Sequence, residues 1–252
     1  MTKELEFRVI EEAVGGVALD SAVLIYRGAN STAFATVHPI HHDDAGAASI
    51  LPGRPMTMLA VARLAKRLGS ARRPGGFVPT SLLYQDLTTM AWWVPPARRH
   101  IWFRCTGGEL GAPERGESVP HPGLVFAATS DRTWRVWAVK GCDRPSEATP
   151  LFQAPYFNVY GTGAICQGNV DVPTGGFAES VADRIEAWNK AFFDSFFTHP
   201  NTQGPLVNYK GGPYRFWRDM LDGRHAVFPE SALVPLGTSL AQVLDRRGPD
   251  GG

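Results

Sequence analysis

Cysteine is scarce in this chain, with three residues in 252, at Cys105, Cys142 and Cys166. An odd count without any C-x-x-C spacing fits neither a disulfide framework nor a zinc site, so free thiols in a reducing compartment are expected. Net charge is nearly absent as well. The 25 Lys and Arg against 24 Asp and Glu leave +1, which makes no field to gather nucleic acid or anionic lipid. Long apolar runs are missing: those present are strand-sized, far short of the roughly 20 residues that span a bilayer. Met1-Thr2-Lys3-Glu4 lacks the apolar stretch of a signal peptide, so a soluble cytoplasmic protein with no nucleic-acid or membrane partner is expected. There is no internal repeat and no low-complexity tract. What is there is apolar material, 44% of the residues, enough for one large domain or a domain with extensions.

Alternation at Leu5, Phe7 and Val9, then apolar runs over 22–27 and 34–38 separated by Gly, Asn and Ser, predict a small antiparallel meander. Pro52, Gly53 and Pro55 break it, and a helix follows with Met58, Val61, Ala62, Ala65 and Leu68 on one face. Further strands are predicted at 81–85, 89–94, 100–105, 124–129 and 133–140, with a tight turn at Ser130-Asp131-Arg132 and Pro95-Pro96 outside any central ladder. Residues 106–122, rich in Gly, Glu and Pro, read as a surface loop. An irregular stretch over 154–176 precedes an aromatic-faced helix from Phe177 to about Phe196, and shorter helices are predicted at 214–221 and 240–244. The last residues, 246–252, read as a frayed tail.

The irregular stretch contains Pro155-Tyr156-Phe157-Asn158-Val159-Tyr160-Gly161-Thr162-Gly163-Ala164-Ile165-Cys166. This resembles the active-site segment of ubiquitin-conjugating enzymes, which runs His-Pro-Asn, an apolar residue, a Gly-containing turn, then apolar-Cys, with the cysteine eight residues after the asparagine. Asn158 and Cys166 have that spacing, and Val159, Gly163 and Ile165 fill the intervening pattern. Tyr156-Phe157 stands where the family has His-Pro, which changes the support of the loop. Trp92-Trp93-Val94-Pro95, Ala154-Pro155-Tyr156-Phe157-Asn158 and Phe197-Thr198-His199 resemble the PRTRC system protein B family, a bacterial family with a divergent conjugating-type domain. The resemblance implies an α+β fold with a ubiquitin-conjugating-like core at 55–200, built of a helix, an antiparallel meander sheet, the cysteine loop and helices. Around it lie an amino-terminal strand extension at 1–54 and a carboxyl-terminal helical extension and tail at 201–252.

The resemblance also implies a bacterial cytoplasmic setting and partners in a ubiquitin-like protein and a ThiF-type activating protein, with a JAB-type peptidase in the same cassette. Cys166 would be the thioester nucleophile and Asn158 an amide donor to the oxyanion, with Tyr156, Gly163 and His199 as supporting residues. No cofactor and no metal are implied. The alternative is a non-catalytic module that binds the ubiquitin-like protein, or a structural component of the cassette.

His199-Pro200-Asn201 follows the cysteine, so it approaches the site only if the helix before it delivers it there. His38, His41, His42, Asp43 and Asp44 are ligand-type side chains on a turn, where adjacent His residues rarely converge on one ion. Gly161-Thr162-Gly163 lacks the third glycine and the βαβ context of a dinucleotide loop, and Gly251-Gly252 reads as tail. Trp92 and Trp93 must face opposite sides of their strand.

Overall fold

The computed structural model describes residues 19–27, 33–43, 47–57, 59–61, 64, 77–86, 88–129, 132–167, 170, 172–173 and 180–245. Leu5, Phe7, Val9, most of the helix predicted after Pro55, the 130–131 turn and the diglycine tail lie outside these. The chain forms two compact units, Met1–Pro74 and Gly75–Gly252.

In the first unit the predicted strands are present as β1 (Ser21–Arg27) and a longer β2 (Ala33–His42), antiparallel from Ser21 opposite Pro39 to Arg27 opposite Ala33. Short strands β3 (Ala48–Ile50) and β4 (Arg54–Pro55) also pair with β2. His38 and His42 are held by neighbours. His38 Nε2 and Nδ1 meet Thr36 Oγ1 at 2.7 Å and the Leu51 carbonyl at 2.8 Å, and His42 Nε2 meets the Leu19 carbonyl at 3.0 Å. Residues 59–61 and 64 are helical, and Thr57 Oγ1 accepts from the Ala60 amide.

The second unit corrects the expectation of one meander. It has a six-stranded sheet ordered β13-β11-β10-β9-β6-β5 and a three-stranded sheet ordered β12-β7-β8. The strands of the larger sheet are β5 (Leu82–Gln85), β6 (Thr89–Val94), β9 (Gly123–Thr129), β10 (Trp134–Val139), β11 (Pro150–Gln153) and β13 (Pro235–Ser239). The smaller sheet is formed by β7 (Ala97–Arg104), β8 (Glu114–His121) and β12 (Phe196–Phe197). Proline explains the division. Pro95-Pro96 separates β6 from β7 and Pro122 separates β8 from β9, so the β7–β8 hairpin leaves the ladder while β6 and β9 pair directly. The loop read over 106–122 is therefore wrong in its second half. Strand β8 pairs with β7 from Ala97–His121 to Arg104–Glu114, and its Pro120 is tolerated because β8 is the edge strand.

The six-stranded sheet is packed on both faces. Trp92, Phe126, Trp134 and Val136 join one core with Trp188 and Phe192 of helix α1 (Val181–Phe193) and with Phe216 and Trp217 of helix α2 (Gly212–Leu221). Ala91, Val125, Trp137 and Val139 join a second core with Leu240 of helix α3 (Leu240–Asp245). Trp92 and Trp93 do face opposite sides, and Trp92 Nε1 donates to Asn189 Oδ1 at 2.9 Å. Helix α1 starts at a capping box of Ser180 and Asp183 and ends at Phe193, earlier than expected, because Phe196 and Phe197 form β12 beside Trp102 and Phe103. The segment after residue 200 is part of the same core: Leu206, Val207, Phe216, Trp217 and Phe228 are all buried in it.

Candidate functional site

The segment leading to Cys166 is anchored from below. Ala154, Tyr156, Phe157 and Val159 have no exposed surface, and Trp217 Nε1 donates to the Pro155 carbonyl at 2.7 Å. Tyr156, at the position of the family histidine, points into the core, packed on Phe192, Phe197 and Trp217 with ring centroids 5.2–5.5 Å away. Its hydroxyl lies 2.6 Å from His121 Nδ1, and His121 Nε2 lies 3.2 Å from the Arg99 carbonyl. A carbonyl only accepts, so Nε2 carries the imidazole proton and Tyr156 donates to Nδ1. Burial holds His121 neutral, its pKa pushed down to about 3, and raises that of the Tyr156 hydroxyl far above its usual value.

From Asn158 the chain makes a hairpin that ends at Cys166. The Cys166 amide donates to the Asn158 carbonyl at 2.7 Å, Val159 bridges Ile165, and the Tyr160 amide donates to the Ala164 carbonyl at 2.9 Å. Gly161, Thr162 and Gly163 form its three-residue loop, a class whose third residue is left-handed, and Gly163 has φ 83°. The returning arm docks on β10: the Val136 amide donates to the Gly163 carbonyl at 2.8 Å and the Ile165 amide to that of Trp134 at 3.2 Å. Arm and β11 thus share one edge of β10, since β11 pairs with Trp137 and Ala138. A Cβ at Gly163 would lie 2.5 Å from Trp137 Nε1, and that ring is fixed in a core. Gly163→Ala, combining this clash with a left-handed backbone, is expected to destabilise the protein by about 2–4 kcal/mol in urea unfolding.

Asn158 itself is left-handed, φ 61°, a region where asparagine is enriched. Its side chain ties the hairpin to the strand after α1. Nδ2 donates to the Phe196 carbonyl at 2.9 Å, while Oδ1 accepts from the Thr198 amide at 3.1 Å and hydroxyl at 2.8 Å. The Asn158 amide donates to the His199 carbonyl at 2.9 Å, and His199 Nδ1 is 2.9 Å from Thr198 Oγ1. The single Thr198 hydroxyl proton goes to Asn158, so His199 Nδ1–H donates to Thr198. The structure thereby joins His199 to Asn158 through Thr198. The second N–H of the Asn158 amide has no acceptor among the described residues.

Cys166 is half-buried, Cys142 exposed and Cys105 buried. Cys105 Sγ lies 3.2 Å from the Thr198 carbonyl, and burial pushes its thiol up to about 11. Across the hairpin, the nearby Cys166 thiol raises the pKa of the exposed Tyr160 hydroxyl. Tyr160 was not among the residues singled out from sequence; only the register of the hairpin brings it to the cysteine. Gln167 Nε2 donates to the Arg132 carbonyl at 2.9 Å and fixes the exit. Among the described residues no three His, Cys, Asp or Glu side chains converge as a metal ion would require.

The arrangement offers a half-buried thiol at one end of a hairpin whose other end is the clamped Asn158, at a sheet edge. No curated protein and no solved structure matches the chain significantly. The model of prokaryotic E2 family D matches residues 58–236, a range that takes in the β5–β12 strands, the cysteine hairpin and helices α1 and α2, and the chain belongs to that ubiquitin-conjugating-like family.

Proposed function

We propose that the protein carries a ubiquitin-like protein as a thioester on Cys166 and passes it to an amine, within a bacterial PRTRC cassette as its protein B. The partners are a ubiquitin-like protein and a ThiF-type activating protein. What supports the reading is the hairpin pairing of Asn158 and Cys166 at 2.7 Å, in a chain of an E2 family. The Cys166 thiolate attacks the activated carboxyl-terminal thioester and displaces the activating protein's thiolate. An amine then attacks the new thioester, the C–S bond breaks, and the electron pair returns to Cys166 Sγ. Asn158 has two roles in this scheme: it fixes the hairpin against Phe196 and Thr198, and its remaining N–H is available to an oxyanion.

The test is to incubate the protein with the activating protein, the ubiquitin-like protein and ATP. A thiol-labile adduct is expected with the wild type and none with Cys166→Ala, while Cys166→Ser should trap a thiol-resistant ester. An adduct that persists in Cys166→Ala would overturn the assignment. If Cys166→Ser binds the ubiquitin-like protein normally and no ester or thioester forms on any variant, the module is a binding one.

A further inference from the structure

The Asn158 carboxamide takes the place of a peptide group along β12, the end strand of its sheet. In a parallel ladder a residue donates to the carbonyl before its partner and accepts from the amide after it. Asn158 Nδ2 donates to the Phe196 carbonyl at 2.9 Å and Oδ1 accepts from the Thr198 amide at 3.1 Å, so the side chain straddles Phe197 as a paired strand would. The orientation has no alternative. A carbonyl only accepts and an amide N–H only donates, so a flipped carboxamide would set like groups against each other at both ends. A peptide group has one N–H and a primary amide has two. The second diverges from the Phe196 carbonyl and has no acceptor among the described residues.

Those two bonds alone would let the carboxamide pivot about the line that joins them. Thr198 adds a third: its hydroxyl donates to the same Oδ1 at 2.8 Å, the shortest of the set. Thr198 is itself held on several sides. Phe197 before it is buried among Phe103, Tyr156 and Phe192, and its own carbonyl accepts from the buried Cys105 thiol at 3.2 Å. His199 Nδ1 lies 2.9 Å from its hydroxyl oxygen. With Nδ1–H donating there, the hydroxyl's own proton is directed to Asn158.

We infer that Thr198 is a positioning residue of the Cys166 site, its hydroxyl locking the plane of the Asn158 carboxamide and so aiming the remaining N–H at the oxyanion formed when a thioester on Cys166 is attacked. The inference rests on the reading of Cys166 as thioester carrier and Asn158 as oxyanion donor. Such a donor contributes most when it is aligned before the charge develops. During discharge the amine nitrogen bonds the carbonyl carbon and the C=O pair moves onto oxygen, where the Asn158 N–H meets it. The pair then returns, the C–S bond breaks with its electrons going to Sγ, and the amine's proton passes to solvent. Thr198 exchanges no proton in this sequence and touches none of the reacting atoms. Thr198→Val removes one of the two donors to Oδ1, and Thr198→Ser retains it.

The test compares two reactions of the same sulfur in the full chain, in a Cys142→Ser background where the buried Cys105 is silent. In the first, Cys166 is acetylated with S-phenyl thioacetate, the reagent is removed, and transfer of the acetyl group to hydroxylamine is followed by intact mass. In the second, iodoacetamide alkylates the unacetylated thiol, a displacement that forms no oxyanion. Thr198→Val is expected to slow acetyl transfer about tenfold while alkylating at the wild-type rate, and Thr198→Ser to recover transfer to within about twofold. A variant that merely loosened the hairpin would change both rates together. Equal acetyl transfer in wild type and Thr198→Val, a parallel change in both reactions, or a serine variant as slow as the valine one would overturn the inference. Asn158→Ala separates the two readings. If it slows transfer and Thr198→Val does not, Thr198 alone is dismissed; if it transfers at the wild-type rate, the oxyanion role of Asn158 falls and that of Thr198 with it. Failure of the wild type to form an adduct with the activating protein bears on Cys166 as carrier of the ubiquitin-like protein.

Discussion

Tyr156→His, which restores the residue found at this position in ubiquitin-conjugating enzymes, is expected to destabilise the protein by about 3 kcal/mol, not to repair the loop. The Tyr156 ring is wholly buried and fills the space bounded by Phe192, Phe197 and Trp217. An imidazole is smaller and leaves a void there, and the neighbouring rings are locked by contacts of their own: Phe192 on Trp134 and Phe126, Trp217 on Phe103 and Phe216. The polar end is also lost, because the hydroxyl donates to a buried His121. A second buried imidazole must stay neutral and find the same partner from a shorter reach. Tyr156→Phe separates the two contributions, since it keeps the packing and leaves Nδ1 of His121 without its donor, at about 1–3 kcal/mol. Urea unfolding of the wild type and both variants at pH 7.5 measures this. A histidine variant as stable as the wild type would show that the position is a loop brace and not core.

The support that a histidine would give comes here from a different direction. Thr198 and Phe196 hold the Asn158 side chain, and His199 holds Thr198. The spacing of Asn158 and Cys166 and the turn glycine Gly163 are legible in the sequence as a likeness to a family segment, while the hairpin that joins them lies in a stretch whose sequence reads as irregular. Helix α2 and the two faces of Trp92 and Trp93 were readable as local periodicities. What else escaped depends on long-range pairing. Strand β12 has two residues and its ladder partner is Trp102, almost a hundred positions away, so nothing local announces it. Strand β8 was hidden by its composition, because Gly116 and Pro120 are turn residues in most settings and pass here only on a sheet edge. The split of the sheet at Pro95-Pro96 was half visible: the prolines were placed outside a ladder, but not recognised as sending the next hairpin into another sheet. Tyr160 escaped because a diagonal neighbour is defined only after the register is known.

Acid is expected to unfold the protein through His121. Its imidazole is buried against Arg99, Tyr156, Phe193 and Trp217. Burial, chiefly, with the Arg99 guanidinium adding to it and the bond to the Arg99 carbonyl opposing it, holds the pKa at about 3, against about 6.5 in an unfolded chain. Between these values the unfolded state binds a proton that the folded state refuses, so stability is full above about pH 6.5 and declines as pH falls toward 3. The whole span amounts to roughly 4–5 kcal/mol, a large part of the 5–15 kcal/mol typical of a folded domain. His121→Gln remains neutral at every pH and retains an N–H for the Arg99 carbonyl, so its stability should fall less over pH 7 to 4, by about 3 kcal/mol. Urea midpoints of the two proteins across that range give the difference, and equal slopes would sink the assignment. Histidine proton NMR of the wild type provides a second reading, in which the His121 ring shows no titration above pH 4. Protonation would force a proton onto Nδ1, where Tyr156 donates, and so release the residue two positions before Asn158. The first local consequence of acid is therefore expected at the foot of the cysteine hairpin, ahead of the aromatic core around Trp92 and Phe126.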